Sequence, residues 1–316
     1  MIDYEEMRDP QKRPRYTGLA TFMRSRWAES LEGVDIGLVG VPFDGGVTNR
    51  PGARHAPREV RNYSSLIRGV NQATRVAPFE LCRVADIGDA WVERPYALET
   101  AHDEIEAFYR RVLAAGIWPL SVGGDHSVSL PILRAVAAER PLGLIHIDAH
   151  CDTGDDYMGS RYHHGAPFRR AVEEGLLDPG RAIQIGIRGQ LTDPDLWKFS
   201  HDAGMRVVYM EEFYRMGAVE AAREAKRVVG EGPAYLSFDI DSLDPAFAPG
   251  TGTPEVGGLT TLEAQLLLRG LRGLEIVAAD LVEVSPPFDQ GGITALAAAN
   301  LMFEMLCLMA EARIAG

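Results

Sequence analysis

Short apolar runs rich in β-branched residues recur along the chain, each closed by glycine, proline or aspartate. Eight of them read as strands: residues 34–41, 83–87, 118–122, 142–147, 182–187, 206–210, 234–240 and 276–284. Runs such as Leu142-Gly143-Leu144-Ile145 lack polar alternation, the signature of a strand covered on both faces, as in a parallel sheet. Helical patterns separate the runs. Residues 98–115 stop at Gly116 and residues 219–229 at Gly230, where glycine suits a left-handed C-terminal cap. Thr260 followed by Glu263 is the pattern of a capping box, opening a helix through Leu271. From about Thr294 to Ile314 the chain is dense in Ala, Leu and Met, so that last helix is expected to be largely buried. Regular strand–helix alternation with no internal repeat predicts one α/β domain on a mainly parallel sheet. We place it at residues 34–316, as three layers around an eight-stranded sheet, after an N-terminal extension of residues 1–33.

Composition adds bounds. The 316 residues, 46% apolar and 24% charged, supply a sizeable core without disulfides. Cys82, Cys151 and Cys307 are odd in number and widely spaced, which fits a reducing compartment. The polar first 32 residues carry no secretory pattern, and apolar stretches are interrupted before membrane-span length, so a cytoplasmic protein without membrane contact is expected. A net charge of −13 argues against a nucleic-acid partner, which wants a basic face, and is compatible with a cationic small substrate.

Acids and histidines gather at strand ends, where open α/β sheets place ligands. The fourth run continues into Asp148-Ala149-His150-Cys151-Asp152, and alternation points Asp148, His150 and Asp152 to one face. The seventh ends in Asp239-Ile240-Asp241. Gly123-Gly124-Asp125-His126 follows the third, setting His126 at the sheet edge. Singly, each residue is a common cap or turn former. Together, acids on two strand ends after buried runs require countercharge, and a pair of cations provides it. Four carboxylates and two imidazoles form a hard, oxygen-rich set. Mn2+ is the first choice, with Ni2+, Co2+ and Fe2+ left open. Such a pair can hold a bridging water as hydroxide near neutral pH, the expected nucleophile. Cys151 should point away from the cations and serve packing.

These motifs, with Ser237 to Pro245, the run Ala248 to Glu255 and Glu283-Val284-Ser285-Pro286, resemble the arginase/agmatinase ureohydrolase family from about Val34 onward. The resemblance implies an arginase-like fold and two metals per chain. One metal would be held by His126, Asp148, Asp152 and Asp239, the other by Asp148, His150, Asp239 and Asp241, with Asp148 and Asp239 bridging. It also implies hydrolysis of a guanidinium to urea plus an amine. Asp241 would hand the nucleophile's proton to the leaving amine, and Glu283 would pair with the guanidinium. His164, on a mobile loop, would shuttle protons, with His163 the competing choice. A trimer or hexamer of identical chains follows from the same likeness. A zinc deacetylase relative would not need all six ligands, and a noncatalytic subunit should have lost some.

The loop Thr153 to Arg161 lacks the pattern with which arginases grip the α-amino and α-carboxyl groups of arginine. Residues 42–55 and 165–175 are more similar to the guanidino-acid branch, whose substrates include 3-guanidinopropionate and 4-guanidinobutyrate. Tyr157, Asn49, Arg50 and His163 are the expected substrate contacts, and Arg54, His55 and Arg161 are further candidates for a carboxylate. Agmatine, the alternative, would want an acid at its far end, and Asp44, Asp155 or Asp156 could serve.

Overall fold

The structure is a computed structural model that describes residues 4–315. The outer limits of both expected segments, residues 1–3 and Gly316, lie outside the described residues. Among the described residues nine strands form one sheet: β1 Arg26–Trp27, β2 Ile36–Gly40, β3 Val84–Asp89, β4 Trp118–Val122, β5 Leu142–Ile147, β6 Leu177–Ile187, β7 Arg206–Tyr209, β8 Pro233–Asp239 and β9 Glu275–Val282. Their order is β1-β3-β2-β4-β9-β8-β5-β6-β7, with every pair parallel. Eight of the nine match the apolar runs. The ninth, β1, falls within residues 1–33 and pairs with β3 at Arg26↔Ala85 and Trp27↔Asp86. Both its residues are exposed, so no apolar run announces it. Phe22 and Met23, just before it, are buried in the main core.

Both faces of the sheet are covered. Ile145, Ile147, Leu236, Phe238, Ala279 and Leu281 join the layer that contains the helices Met210–Val229, Thr261–Gly270 and Ile293–Ala315. Their alternates Leu144, Tyr235, Ala278 and Val282 join the layer with the helices Leu98–Ala114, Ser129–Val136 and Pro167–Glu173. This is the double coverage that a run without polar alternation requires.

Helix ends follow local chemistry. Gly116, just past the helix that ends at Ala114, takes φ +76°, which costs a residue without Cβ little. The Thr260–Glu263 capping box is formed in both directions. The helix expected from residue 219 starts at Met210, directly after β7, and runs across a non-helical Gly217. The helix Ile293–Ala315 is long and apolar enough to cross a membrane by composition, yet 83% of its apolar window is buried inside the protein. It packs on β9 and on the helices Ala56–Tyr63 and Thr261–Gly270.

Candidate metal centre

Three segments converge at the carboxyl edge of the central strands. β5 ends at Ile147 and pairs there with Phe238 of β8, so Asp148 and Asp239 each follow that last pair. The loop after β4 brings His126 in beside them. At Gly124 a Cβ would lie 1.5 Å from the Phe43 carbonyl oxygen, so only glycine permits that approach. Asp125 then caps the turn, its carboxylate accepting the Ser127 and Gly46 amides. Strand alternation is not what gathers Asp148, His150 and Asp152, because all three lie beyond β5 in a loop. Asp152 turns back through φ +50°. Asp148 and Asp239 each accept the amide two residues on, from His150 at 2.6 Å and from Asp241 at 2.8 Å.

The side chains form two groups. His126 Nδ1 lies 3.2 Å from Asp148 Oδ2, 3.0 Å from Asp152 Oδ2 and 3.2 Å from Asp239 Oδ2. His150 Nδ1 lies 3.3 Å from Asp148 Oδ1 and 3.2 Å from Asp241 Oδ2. Asp148 therefore belongs to both groups through different oxygens. Asp239 turns Oδ2 to the His126 group while its Oδ1 is held by the Asp241 amide.

These residues fit divalent cations. His126 Nδ1 is fully buried and has no hydrogen-bond partner, although three carboxylate oxygens surround it. Lone pairs converging in this way need a positive charge between them. Burial, then the charges of Asp241 and Asp148, push the Asp239 carboxyl well above the usual range. Burial, with Asp148, also pushes Asp241 up. A cation would remove both penalties.

Sequence reasoning missed two supports. His146 Nε2 lies 2.7 Å from Asp148 Oδ2, and Ser237 Oγ lies 2.8 Å from His126 Nε2. His146 stands close enough to be counted with His126 and Asp148 as a cation-binding group, but its hydrogen bonds argue for support. Gln184 Nε2 donates to the Cys151 carbonyl at 2.6 Å, which fixes the amide's orientation and sends its other N–H to His146 Nδ1 at 3.0 Å. His146 Nε2 is then the protonated nitrogen and donates to Asp148. The signal was available: both residues lie two positions before an acid of the site, on the same face of their strands. The Cys151 side chain packs with Ile187 and Val207, away from the carboxylates.

Beside the clusters, a cleft of about 210 Å3 is lined by Thr48, His150, Tyr157, His163, His164 and Trp197, among others. Tyr157 and His163 thus reach it, whereas Asn49 and Arg50 are not among its lining residues. The Arg50 guanidinium lies over the Phe288 ring instead. Arg54 is paired with Asp44, and Arg161 with Glu173 and Asp155. Trp197 was not anticipated; it follows a polar loop with no site-like pattern. His164, expected on a mobile loop, is buried. Its Nε2 is 2.8 Å from Thr48 Oγ1, and its Nδ1 is 2.8 Å from Glu283 Oε1. Glu283, at φ +64°, also accepts the His126 amide on Oε1, and its buried Oε2 has no partner.

A parallel α/β sheet whose carboxyl edge carries two His–carboxylate groups sharing one aspartate defines a class, metal-dependent enzymes built for paired divalent cations. The profile of the arginase family matches residues 34–307. The chain is 59% identical to guanidinopropionase of Pseudomonas aeruginosa, covering 98% of this chain and 97% of that one. It is 49% identical to the mitochondrial agmatinase of Gallus gallus, over 93% of this chain and 87% of that one. Among solved structures, proclavaminate amidinohydrolase from Streptomyces clavuligerus superposes with a TM-score of 0.90 at 42% identity, covering 95% of this chain and 99% of that one. The chain belongs to the arginase family.

Proposed function

We propose that this protein is a ureohydrolase that cleaves the guanidinium C–N bond of a small linear guanidino acid, 3-guanidinopropionate or 4-guanidinobutyrate, to urea plus the amine. The ureohydrolase chemistry is supported by the family and by the paired clusters. The observation that carries the choice of an acid is at His163. Its Nδ1 accepts the Gly165 amide at 3.2 Å, which leaves the proton on Nε2, and that buried nitrogen has no partner. His163 lines the cleft, with the Asp155 backbone beside it, and we assign its N–H as the donor to a substrate carboxylate. Of the acids that agmatine's amine could use, Asp44 is engaged by Arg54 and the Gly52 amide and Asp155 by Arg169 and Arg170, while Asp156 is exposed and accepts the Gly159 amide.

Two divalent cations, Mn2+ by preference, would be held by His126, Asp148, Asp152 and Asp239 on one side and His150, Asp148 and Asp241 on the other, and would activate a water for attack. The protein's residues do the rest. The free Glu283 Oε2 accepts the guanidinium N–H groups and holds the cation inside the cleft. Asp241, whose Oδ2 also accepts from Thr253 Oγ1 at 3.2 Å, takes a proton from the attacking water and passes it to the leaving nitrogen. In the metal-free protein burial pushes His164 down and the Glu283 carboxylate carries it up to about 9. Its Nδ1 proton is shared with Glu283, and its Nε2 faces the Thr48 amide and hydroxyl; we assign it to proton transfer with the departing amine. We further propose a cytoplasmic homo-oligomer, a trimer or hexamer, which the mass of the native protein in solution checks.

The test is urea release from 3-guanidinopropionate, 4-guanidinobutyrate, agmatine, arginine and guanidine, with and without added Mn2+. Mn2+-dependent turnover of a guanidino acid is expected, lost preferentially for that substrate in His163→Leu. Preference for agmatine would overturn the assignment of an acid, and urea from none of them would overturn the ureohydrolase reading.

A further inference from the structure

Beneath the metal centre a row of polar side chains crosses five adjacent strands. Ser121 of β4 is register partner to Asp280 of β9, Asp280 to Ser237 of β8, Ser237 to His146 of β5, and His146 to Gln184 of β6. All five are fully buried. Polar groups in a sheet interior are costly unless paired; Ser121 is paired with Tyr109, His146 with Asp148 and Gln184, and Ser237 with Asp280. Asp280 Oδ1 accepts the Ser237 hydroxyl at 2.6 Å, while Oδ2 accepts both Tyr235 Oη and Ser129 Oγ at 2.5 Å. Asp280 touches no residue of the two clusters, yet it stands one hydroxyl away from His126.

We infer that Asp280 is a positioning residue for the His126 half of the metal centre: acting through Ser237, it fixes His126 as the tautomer protonated on Nε2. The inference rests on the two-cation reading of the site. A serine hydroxyl has one proton, and that of Ser237 is committed to Asp280. At 2.8 Å from His126 Nε2 the same oxygen can only accept, so Nε2 carries the hydrogen. A neutral imidazole has one N–H, which leaves the Nδ1 lone pair facing Asp148, Asp152 and Asp239, where a cation needs it. Support of this kind holds a ligating histidine in one tautomer and orientation.

Asparagine at 280 tests the point without changing shape. An amide NH2 on the Oδ2 side would oppose two hydroxyls, and the buried Tyr235 proton would lose its acceptor. On the Oδ1 side it opposes Ser237 alone, which can reverse and donate to His126 Nε2. The second arrangement displaces fewer hydrogen bonds, and it moves the His126 proton to Nδ1, where it blocks a cation.

The experiment is titration of the metal-free chain with Mn2+ at buffered free concentrations, reading stoichiometry and the spin coupling of the bound ions. Wild type should bind two Mn2+ as a coupled pair. Asp280→Asn should keep one at wild-type affinity and bind the other roughly 10- to 100-fold more weakly, with the coupling lost at intermediate Mn2+. Tyr235→Phe removes a donor to Oδ2 without reversing Ser237, and should bind both as wild type does. If Asp280→Asn does not fold, Ser237→Ala, which strips His126 Nε2–H of its acceptor, should show the same one-sided weakening. Two wild-type affinities in the variant, equal weakening at both positions, or the same one-sided loss in Tyr235→Phe would each overturn the inference. A wild-type chain that binds fewer than two Mn2+ would instead overturn the two-cation reading itself.

Discussion

At the scale of single residues, His164 and Glu283 govern how the centre responds to pH. Burial lowers His164, but Glu283 at 2.8 Å, with Asp125 and Asp152 nearby, outweighs it and sets the imidazole at about 9. The folded value exceeds the ordinary unfolded one of about 6.5, so the folded state binds this proton more tightly. Its contribution is therefore full below about pH 6.5 and lost as pH rises through about 9. In metal-free protein the stability gap between wild type and His164→Asn should be on the order of 2–3 kcal/mol below that window and close across it. Urea denaturation at several pH values measures the gap, and one that stays constant or widens counts against the pairing. Glu283 has a separate duty through Oε2. Glu283→Gln keeps an acceptor there but removes the charge that a guanidinium meets, and charged hydrogen bonds contribute about 1.5–3 kcal/mol. We expect kcat/KM for the guanidino acid to fall roughly 10- to 100-fold while both Mn2+ ions stay bound. Loss of Mn2+ from this variant would make Glu283 a determinant of metal binding instead.

At the scale of elements, caps that serve stability separate from turns that serve the site. The Thr260–Glu263 capping box opens a helix remote from the clusters. Thr260→Ala should cost about 1 kcal/mol and leave Mn2+ content and urea release unchanged. Gly124→Ala is the opposite case, because its Cβ would meet the Phe43 carbonyl in the backbone itself. The loop bearing His126 must then move, with a loss of about 4 kcal/mol or more and of one bound Mn2+; thermal melts with metal analysis distinguish the two variants. The elements also show how far sequence carries. Eight strands were legible because burial on both faces leaves continuous apolar runs, while β1 was not, because two exposed residues leave none. The six acids and histidines were legible as types at strand ends. Their gathering depends on turns such as Asp152 at φ +50°, which only tertiary packing sets. His146, Ser237 and Asp280 sat inside apparent apolar strands, where period two could have marked them as neighbours of the site. Arg50 lies over Phe288 instead of lining the cleft, because a cationic loop residue carries no sign in the sequence of what it will stack on.

At the scale of the whole molecule, the fold brings together charges that would separate if free to do so. β5 and β8 are neighbours, so Asp148 and Asp239 follow one another's strand ends, and β4 contributes His126 from across β9. Without cations the sheet holds Asp239 and Asp241 against burial and mutual repulsion, on a chain already at −13. Cations that bind only the folded state add RT ln(1 + [L]/Kd), about 2.7 kcal/mol at a hundred times Kd. For a domain of this size that is a rise in Tm of roughly 4 °C per bound cation. Chelation should lower Tm by that amount, and Mn2+ should restore it in step with urea release. Sodium chloride should not substitute, because screening acts on exposed charges far more than on buried ones. Asp148, which belongs to both groups, gives the sharpest control. Asp148→Ala should abolish the Mn2+-dependent rise, whereas Asp156→Ala, an exposed acid of the neighbouring loop, should leave it intact. A full Mn2+ response in Asp148→Ala would mean that the cations stabilise the protein from somewhere other than this sheet edge.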